Sequence, residues 1–102
     1  VGDGAPGGAD DAVVVPITGE LDLHSFAPRD VASLVSEYVR ECAVRGITRL
    51  RLIHGRGRGV QRAEVRRVLA RLPEVEWFGD ADQAGGGWGA TVAHLRPSEA
   101  AR

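Results

Sequence analysis

Residues 31–53 read VASLVSEYVRECAVRGITRLRLI, and within them one periodicity replaces another. Val31, Leu34, Val35, Tyr38, Val39 and Cys42 recur at the three- and four-residue steps that bring side chains to one face of a helix. Gly46 then offers the left-handed cap on which such a helix ends. From Arg49 the pattern alternates, with Leu50 and Leu52 on one side and Arg49 and Arg51 on the other. That is the period of a strand with one face buried. A strand covered on both faces would be apolar throughout. The pair therefore predicts an α/β fold whose helices cover one face of a sheet and leave the other open.

The same logic extends in both directions. Upstream, residues 18–23 alternate, with Leu21 and Leu23 opposed to Glu20 and Asp22, and predict a first half-buried strand. Residues 13–15 predict a short edge strand that Pro16 ends. Pro28 suits the first turn of the helix, where its missing N–H costs nothing. Downstream, a glycine-rich turn leads to a second helix over 60–72. Val65, Val68, Leu69 and Leu72 form its apolar stripe, Arg62 and Arg66 share its polar face, and Pro73 stops it. Residues 75–78 and 91–95 predict two more strands, joined by the acidic, glycine-rich stretch GDADQAGGG, and at least one of Trp77 and Phe78 belongs to the core. The order is β-α-β-α-β-β. Helical crossovers imply that the first three strands run parallel. The expected architecture is a two-layer α/β sandwich with both helices on one face of a mixed four-stranded sheet. Its open face carries Glu20, Asp22, Arg49 and Arg51. Residues 12–96 make this one domain, between a flexible leader (1–11) and a flexible tail (97–102) too poor in large apolar residues to pack.

Bulk properties narrow the class. A chain of 102 residues holds one hydrophobic core. Its apolar runs are too short to cross a bilayer, and no signal peptide opens it, so the expected compartment is the cytoplasm and no membrane partner is expected. The single cysteine, Cys42, excludes an internal disulfide and a multi-cysteine zinc site, and its place in the helical stripe makes it a core residue. The net charge of −1 conceals an asymmetry. Between Arg40 and Arg71 ten arginines face two acids, Glu41 and Glu64, and the rest of the chain is correspondingly acidic. Such a block reads either as a footprint for phosphate or as a solvated, salt-bridged surface.

Three segments carry residues capable of chemistry. In LDLH (21–24), strand alternation sends Asp22 and His24 to the same side at the carboxyl end of the first strand, where open α/β sheets bind ligands. An aspartate so placed orients an imidazole and stabilises its charged form. In HGRGRG (54–59), glycines let backbone amides approach a phosphate at a helix N-terminus, and Arg56 and Arg58 add bidentate donors. No Lys-Ser/Thr pair follows, so this is not a P-loop. In GGWGATVAHL (86–95), Trp88 among glycines is either a stacking surface for a base or an aromatic folded onto the core.

In that order and spacing, LDLH, HGRGRG and GGWGATVAHL resemble the three signatures of the Smr (small MutS-related) family, across nearly all of the folded part. The resemblance is to a stand-alone bacterial form without a mismatch-repair ATPase. It implies a fold similar to the C-terminal domain of bacterial translation initiation factor three, nucleic-acid binding, and endonuclease or nicking activity in some members. Asp22 and His24 match the family's LDxH motif. His54, Gly55, Gly57 and Gly59 match its HGxG loop, and Gly86, Gly87, Gly89 and Thr91 its terminal glycine motif. Where many members carry Gly after LDLH, this chain carries Ser25. The expected function is cleavage of RNA or DNA backbones by a monomer, with Asp22, His24 and His54 as catalytic residues. Gly55, Arg56, Gly57, Arg58, Gly59, Arg62, Gly86, Gly87, Trp88, Gly89 and Thr91 are expected to hold the nucleic acid. In that scheme the two histidines exchange protons, and no cofactor is required. A divalent ion, Mg²⁺ or Mn²⁺, on Asp22 and a histidine is the alternative route. A non-catalytic binding module using the same loop is the alternative function.

Overall fold

The structure is a computed structural model, and it describes residues 15–55, 59–82, 84 and 87–96. Strand β1 is Glu20–Asp22, and a single 3-10 turn at Pro28–Asp30 leads into helix α1, Val31–Val44. Strand β2 is Arg49–Ile53, helix α2 is Val60–Arg71, and strand β3 is Val75–Asp80. A second 3-10 turn, Gly87–Gly89, opens strand β4, Ala90–Leu95. No strand includes Val15, and the other two residues of the expected 13–15 edge strand lie outside the described residues.

The sheet order is β1-β2-β4-β3. β1 and β2 are parallel, and β4 is antiparallel to both β2 and β3. The first three strands thus run in one direction, as the helical crossovers require, but β4 enters between β2 and β3 and separates them. The stripe of α1 (Val31, Val35, Tyr38, Val39, Cys42) and that of α2 (Val65, Val68, Leu69) join Leu21, Leu50, Leu52, Ala93 and Leu95 in one core cluster. Both helices therefore cover the same sheet face. Cys42 is fully buried there, as its position in the stripe requires.

Two local devices set the starts of β2 and β1. Helix α1 ends in a Schellman arrangement, in which the Ile47 N–H donates to the Cys42 carbonyl at 2.9 Å and the Gly46 N–H to that of Ala43 at 3.1 Å. The Tyr38 hydroxyl accepts from the Gly19 amide at 2.9 Å and donates to the Glu20 carbonyl at 3.1 Å. Those bonds take up backbone groups at the start of β1. The strand is accordingly shorter than the alternation over 18–23 suggests.

Candidate active site

Because β1 and β2 are parallel neighbours with Asp22 opposite Ile53, the segments that follow them emerge at one edge of the sheet. The Leu23 amide continues the ladder by donating to the Ile53 carbonyl at 2.8 Å. One residue later each chain reaches a histidine, and the two histidines differ.

His24 is about 60% exposed, and its backbone amide donates to Asp22 Oδ1 at 2.9 Å while its Nδ1 lies 2.7 Å from the same oxygen. A carboxylate only accepts, so Nδ1 carries the proton and Nε2 keeps its lone pair. Among the described residues Nε2 has no hydrogen-bond partner. It lies against Gly55, where a Cβ would stand only 2.8 Å away, and Gly55 itself has φ +80°. Position 55 is thus held to glycine twice, by backbone conformation and by the imidazole above it. The two bonds from His24, the backbone one foremost, hold the Asp22 carboxyl below the ordinary aspartate value.

His54 is only 5% exposed. Its Nδ1 lies 2.9 Å from the Gly55 carbonyl oxygen and its Nε2 lies 2.9 Å from Thr91 Oγ1. The carbonyl must accept, so Nδ1 donates and Nε2 receives the Thr91 hydroxyl proton. Burial is the main cause that pushes this imidazole below the ordinary histidine value, with the nearby Arg62 and Arg66 charges acting the same way. Both ring nitrogens of His54, expected as a second proton carrier at the substrate, thus engage protein groups away from solvent. Thr91, expected to hold the nucleic acid, is placed beneath it. It is 0% exposed, and its hydroxyl bonds His54.

The glycine loop differs from expectation as well. The amides of His54 and Gly55 both donate to the Gly89 carbonyl, at 3.1 and 2.8 Å. The Gly55 N–H is thus spent inside the protein and does not face a phosphate. The cause is the pairing of β2 with β4, which continues from Ile53–Ala90 into the turn. Gly59 caps α2 in a left-handed conformation, and its carbonyl accepts from the Ala63 amide at 2.9 Å. Gly87 donates to the Asp82 carbonyl at 2.7 Å. Arg56, Gly57, Arg58 and Gly86 lie outside the described residues, as does the side chain of Trp88.

Arg62, expected at the phosphate, instead grips Asp80 on β3, with Nη2 at 2.8 and 3.0 Å from its two oxygens and Nε at 3.1 Å. Arg66 joins it at 3.3 Å from Asp80 and lies 5.1 Å above the Phe78 ring. Other arginines of the basic block pair with local acids: Arg45 with Glu41, Arg67 with Glu64, Arg40 with Glu74 and Arg51 with Glu20. Much of the block is therefore a salt-bridged surface. The described residues contain no group of three or more His, Cys, Asp or Glu side chains placed to share a metal ion. Among the described residues no helix is long and apolar enough to cross a membrane.

The alternation rule could have found that His54 and Thr91 are buried. Carried one step past the strand, the Leu50–Leu52 period puts His54 on the core face, just as Glu20–Asp22 puts His24 on the open one. It likewise sends Thr91 inward with Ala93 and Leu95, and His94 outward.

An α/β domain with its polar chemistry gathered where parallel strands end defines a class; comparison narrows it. The chain belongs to the Smr domain family, whose model matches residues 21–96. It is 38% identical over 78 residues to endonuclease MutS2 of Thermus thermophilus, covering 76% of this chain and 10% of that protein. To endonuclease MutS2 of Pelotomaculum thermopropionicum it is 34% identical over 79 residues, again 10% of the relative. The chain thus spans about a tenth of the length of these curated relatives. Among solved structures, the Smr domain of Thermus thermophilus MutS2 superposes with a TM-score of 0.74 at 38% identity, covering 78% of this chain and all of that one. YdaL, a stand-alone small MutS-related protein from Escherichia coli, superposes with a TM-score of 0.72 at 25% identity, covering 76% of this chain and 64% of that one.

Proposed function

We propose that this chain binds nucleic acid and cleaves its phosphodiester backbone, with His24 as the proton-transferring group. One observation carries the reading. An exposed imidazole is fixed by Asp22 in the tautomer that leaves Nε2 as a base, and that nitrogen lies over Gly55, where any side chain would crowd it. The relatives that carry the same domain are named endonucleases. In this scheme His24 Nε2 takes the proton of the attacking hydroxyl, from water or from the ribose 2′ position. The resulting imidazolium is stabilised by the Asp22 carboxylate 2.7 Å from Nδ1. His54 and Thr91 work one layer below, fixing the loop on which His24 rests.

Positioned acid–base groups contribute roughly 10²- to 10⁴-fold to a rate. His24→Ala should therefore slow cleavage of labelled single-stranded RNA, hairpin RNA and nicked or branched DNA by about that factor, with binding nearly intact. EDTA should leave the wild-type rate unchanged. Loss in EDTA that Mn²⁺ or Mg²⁺ restores would replace this mechanism with a metal site that includes Asp22. Binding without cleavage of any substrate would reduce the chain to a binding module.

A further inference from the structure

The open sheet face carries an aromatic pair that the cleavage scheme does not use. Registers place Arg49 of β2 opposite His94 of β4, and His94 opposite Trp77 of β3, so the three form one row across the sheet. Trp77 is 52% exposed, which is unusual for the largest apolar side chain of a small domain. It is nonetheless held in place. Its ring centroid lies 5.0 Å from that of His94 at an interplanar angle of 50°, and its six-membered ring lies so close over Gly79 that a Cβ there would stand 2.8 Å from it. Glycine at 79 thus lets the indole lie down on the sheet, with His94 along one edge.

An arginine borders the pair, and the same face continues to the candidate active site. Arg49 is exposed beside the pair, and Arg51 lies one row further along, paired with Glu20. Val92 and Gly79 complete that second row, and Ile53 stands beside Asp22 in the third, so the same sheet face runs from Trp77 past Arg51 to the edge where Asp22 and His24 stand. Asp22 lies four residues along and two strands across from His94, about 16 Å away at 3.3 Å per residue and 4.8 Å per strand. On open four-stranded sheets, aromatic side chains stack two or three unpaired bases of one RNA strand.

We propose that Trp77, edged by His94, is a stacking platform for an unpaired base of single-stranded RNA, whose backbone runs past Arg49 and Arg51 to His24. This rests on the reading of His24 as the base. RNA is the strand that brings its own nucleophile, the 2′-hydroxyl, to such a group. His24 takes that hydroxyl's proton, the 2′ oxygen bonds to phosphorus as the bond from phosphorus to the 5′ oxygen breaks, and the 5′ oxygen leaves as an alcohol with a proton from water, whose hydroxide takes back the proton held on His24. The products are a 2′,3′-cyclic phosphate end and a 5′-hydroxyl end.

The test measures binding of labelled oligouridylate, in the His24→Ala background so that the strand stays intact. Base–aromatic stacking predicts that Trp77→Ala weakens it by roughly 5- to 150-fold. Trp77→Leu, which keeps apolar cover but no flat ring, should lose as much, and Trp77→Phe should recover most of the affinity. Affinity for duplex RNA and the slope of log K against log salt should not change, whereas Arg49→Ala should reduce that slope by about 0.7 for the single strand. Unchanged oligouridylate binding in Trp77→Ala and Trp77→Leu overturns the platform. So does an equal loss on duplex, a loss confined to the DNA strand of the same sequence, or an effect only on self-association in sedimentation. Trp77-dependent binding in a wild type that cleaves nothing keeps the platform and removes the nuclease reading. Cleavage with binding indifferent to Trp77 does the reverse.

Discussion

Replacing His54 with alanine separates a buried brace from a catalytic group. In the structure the imidazole is almost fully enclosed and makes two hydrogen bonds. Its removal leaves the Thr91 hydroxyl, which is wholly buried, without the acceptor it uses, at about 1–3 kcal/mol. The bond to the Gly55 carbonyl is lost at roughly 1 kcal/mol net, since half-buried Gly55 can turn that oxygen to water. The sum is about 2–4 kcal/mol before any cavity is counted, a large share of the ~5–15 kcal/mol expected for a domain. At about 4–8 °C per kcal/mol, the melting temperature should fall by roughly 10–30 °C. The loss should also depend on pH. Burial holds the folded pKa of His54 below its unfolded value, so below about pH 6.5 the unfolded chain binds more protons than the folded one. Wild-type stability from this group is therefore complete above that pH and declines as the pH falls through the folded value, by at most about 1.4 kcal/mol per pH unit. His54→Ala lacks the group, so the gap between the two proteins should narrow from pH 7.5 to pH 5. Urea denaturation of both across that range reads slope and offset together. An unchanged midpoint with cleavage abolished would refute the reasoning and put the imidazole back at the substrate.

Two further substitutions test neighbouring claims. Gly55→Ala forces a side chain into a left-handed conformation, at roughly 1–2 kcal/mol, and against Nε2 of His24. The domain should still fold while cleavage falls at least about tenfold, the result of displacing a positioned base; a normal rate by gel assay would mean that His24 is not confined where the structure puts it. Leu50→Ala truncates a fully buried side chain between the sheet and the helices, and should cost about 2–5 kcal/mol by thermal melting with the cleavage rate of the remaining folded protein unchanged.

What was legible in the sequence follows the range of the interactions involved. Both helices announce themselves because their stripes are local, and α1 and α2 lie within a few residues of the expected bounds. The open face was legible for the same reason, since Glu20, Asp22 and Arg49 alternate with buried leucines. The insertion of β4 between β2 and β3 was not, because an inward–outward pattern is identical whichever neighbour a strand chooses. A register irregularity between Val75 and Trp77 hid the platform. It breaks the period at the point where Trp77 turns outward and leaves Phe78 to pack against the core. In the candidate site, Asp22 and His24 were legible as a pair on one side of a strand. Whether a loop amide faces a ligand or another carbonyl was not, since the Gly89 oxygen that receives the Gly55 amide lies 34 residues away in the chain.

The difference between the two histidines reduces to parity. Both follow parallel neighbouring strands and both reach the same edge, yet His24 continues the exposed set of β1 and His54 the buried set of β2. A sheet with one solvated face cannot present both to the same substrate atom, because successive residues on a strand point to opposite sides. What it can do is stack them in depth. Thr91 holds His54, His54 holds the Gly55 carbonyl, Gly89 holds the Gly55 amide, and Gly55 lies directly beneath Nε2 of His24. Described residues of the second and third signatures thus lie in layers beneath the exposed imidazole of the first, and under the proposed function they act on chemistry only through where they hold it. Mutations in the inner layers should therefore reach the rate through folding and loop position, and those at His24 should reach it directly.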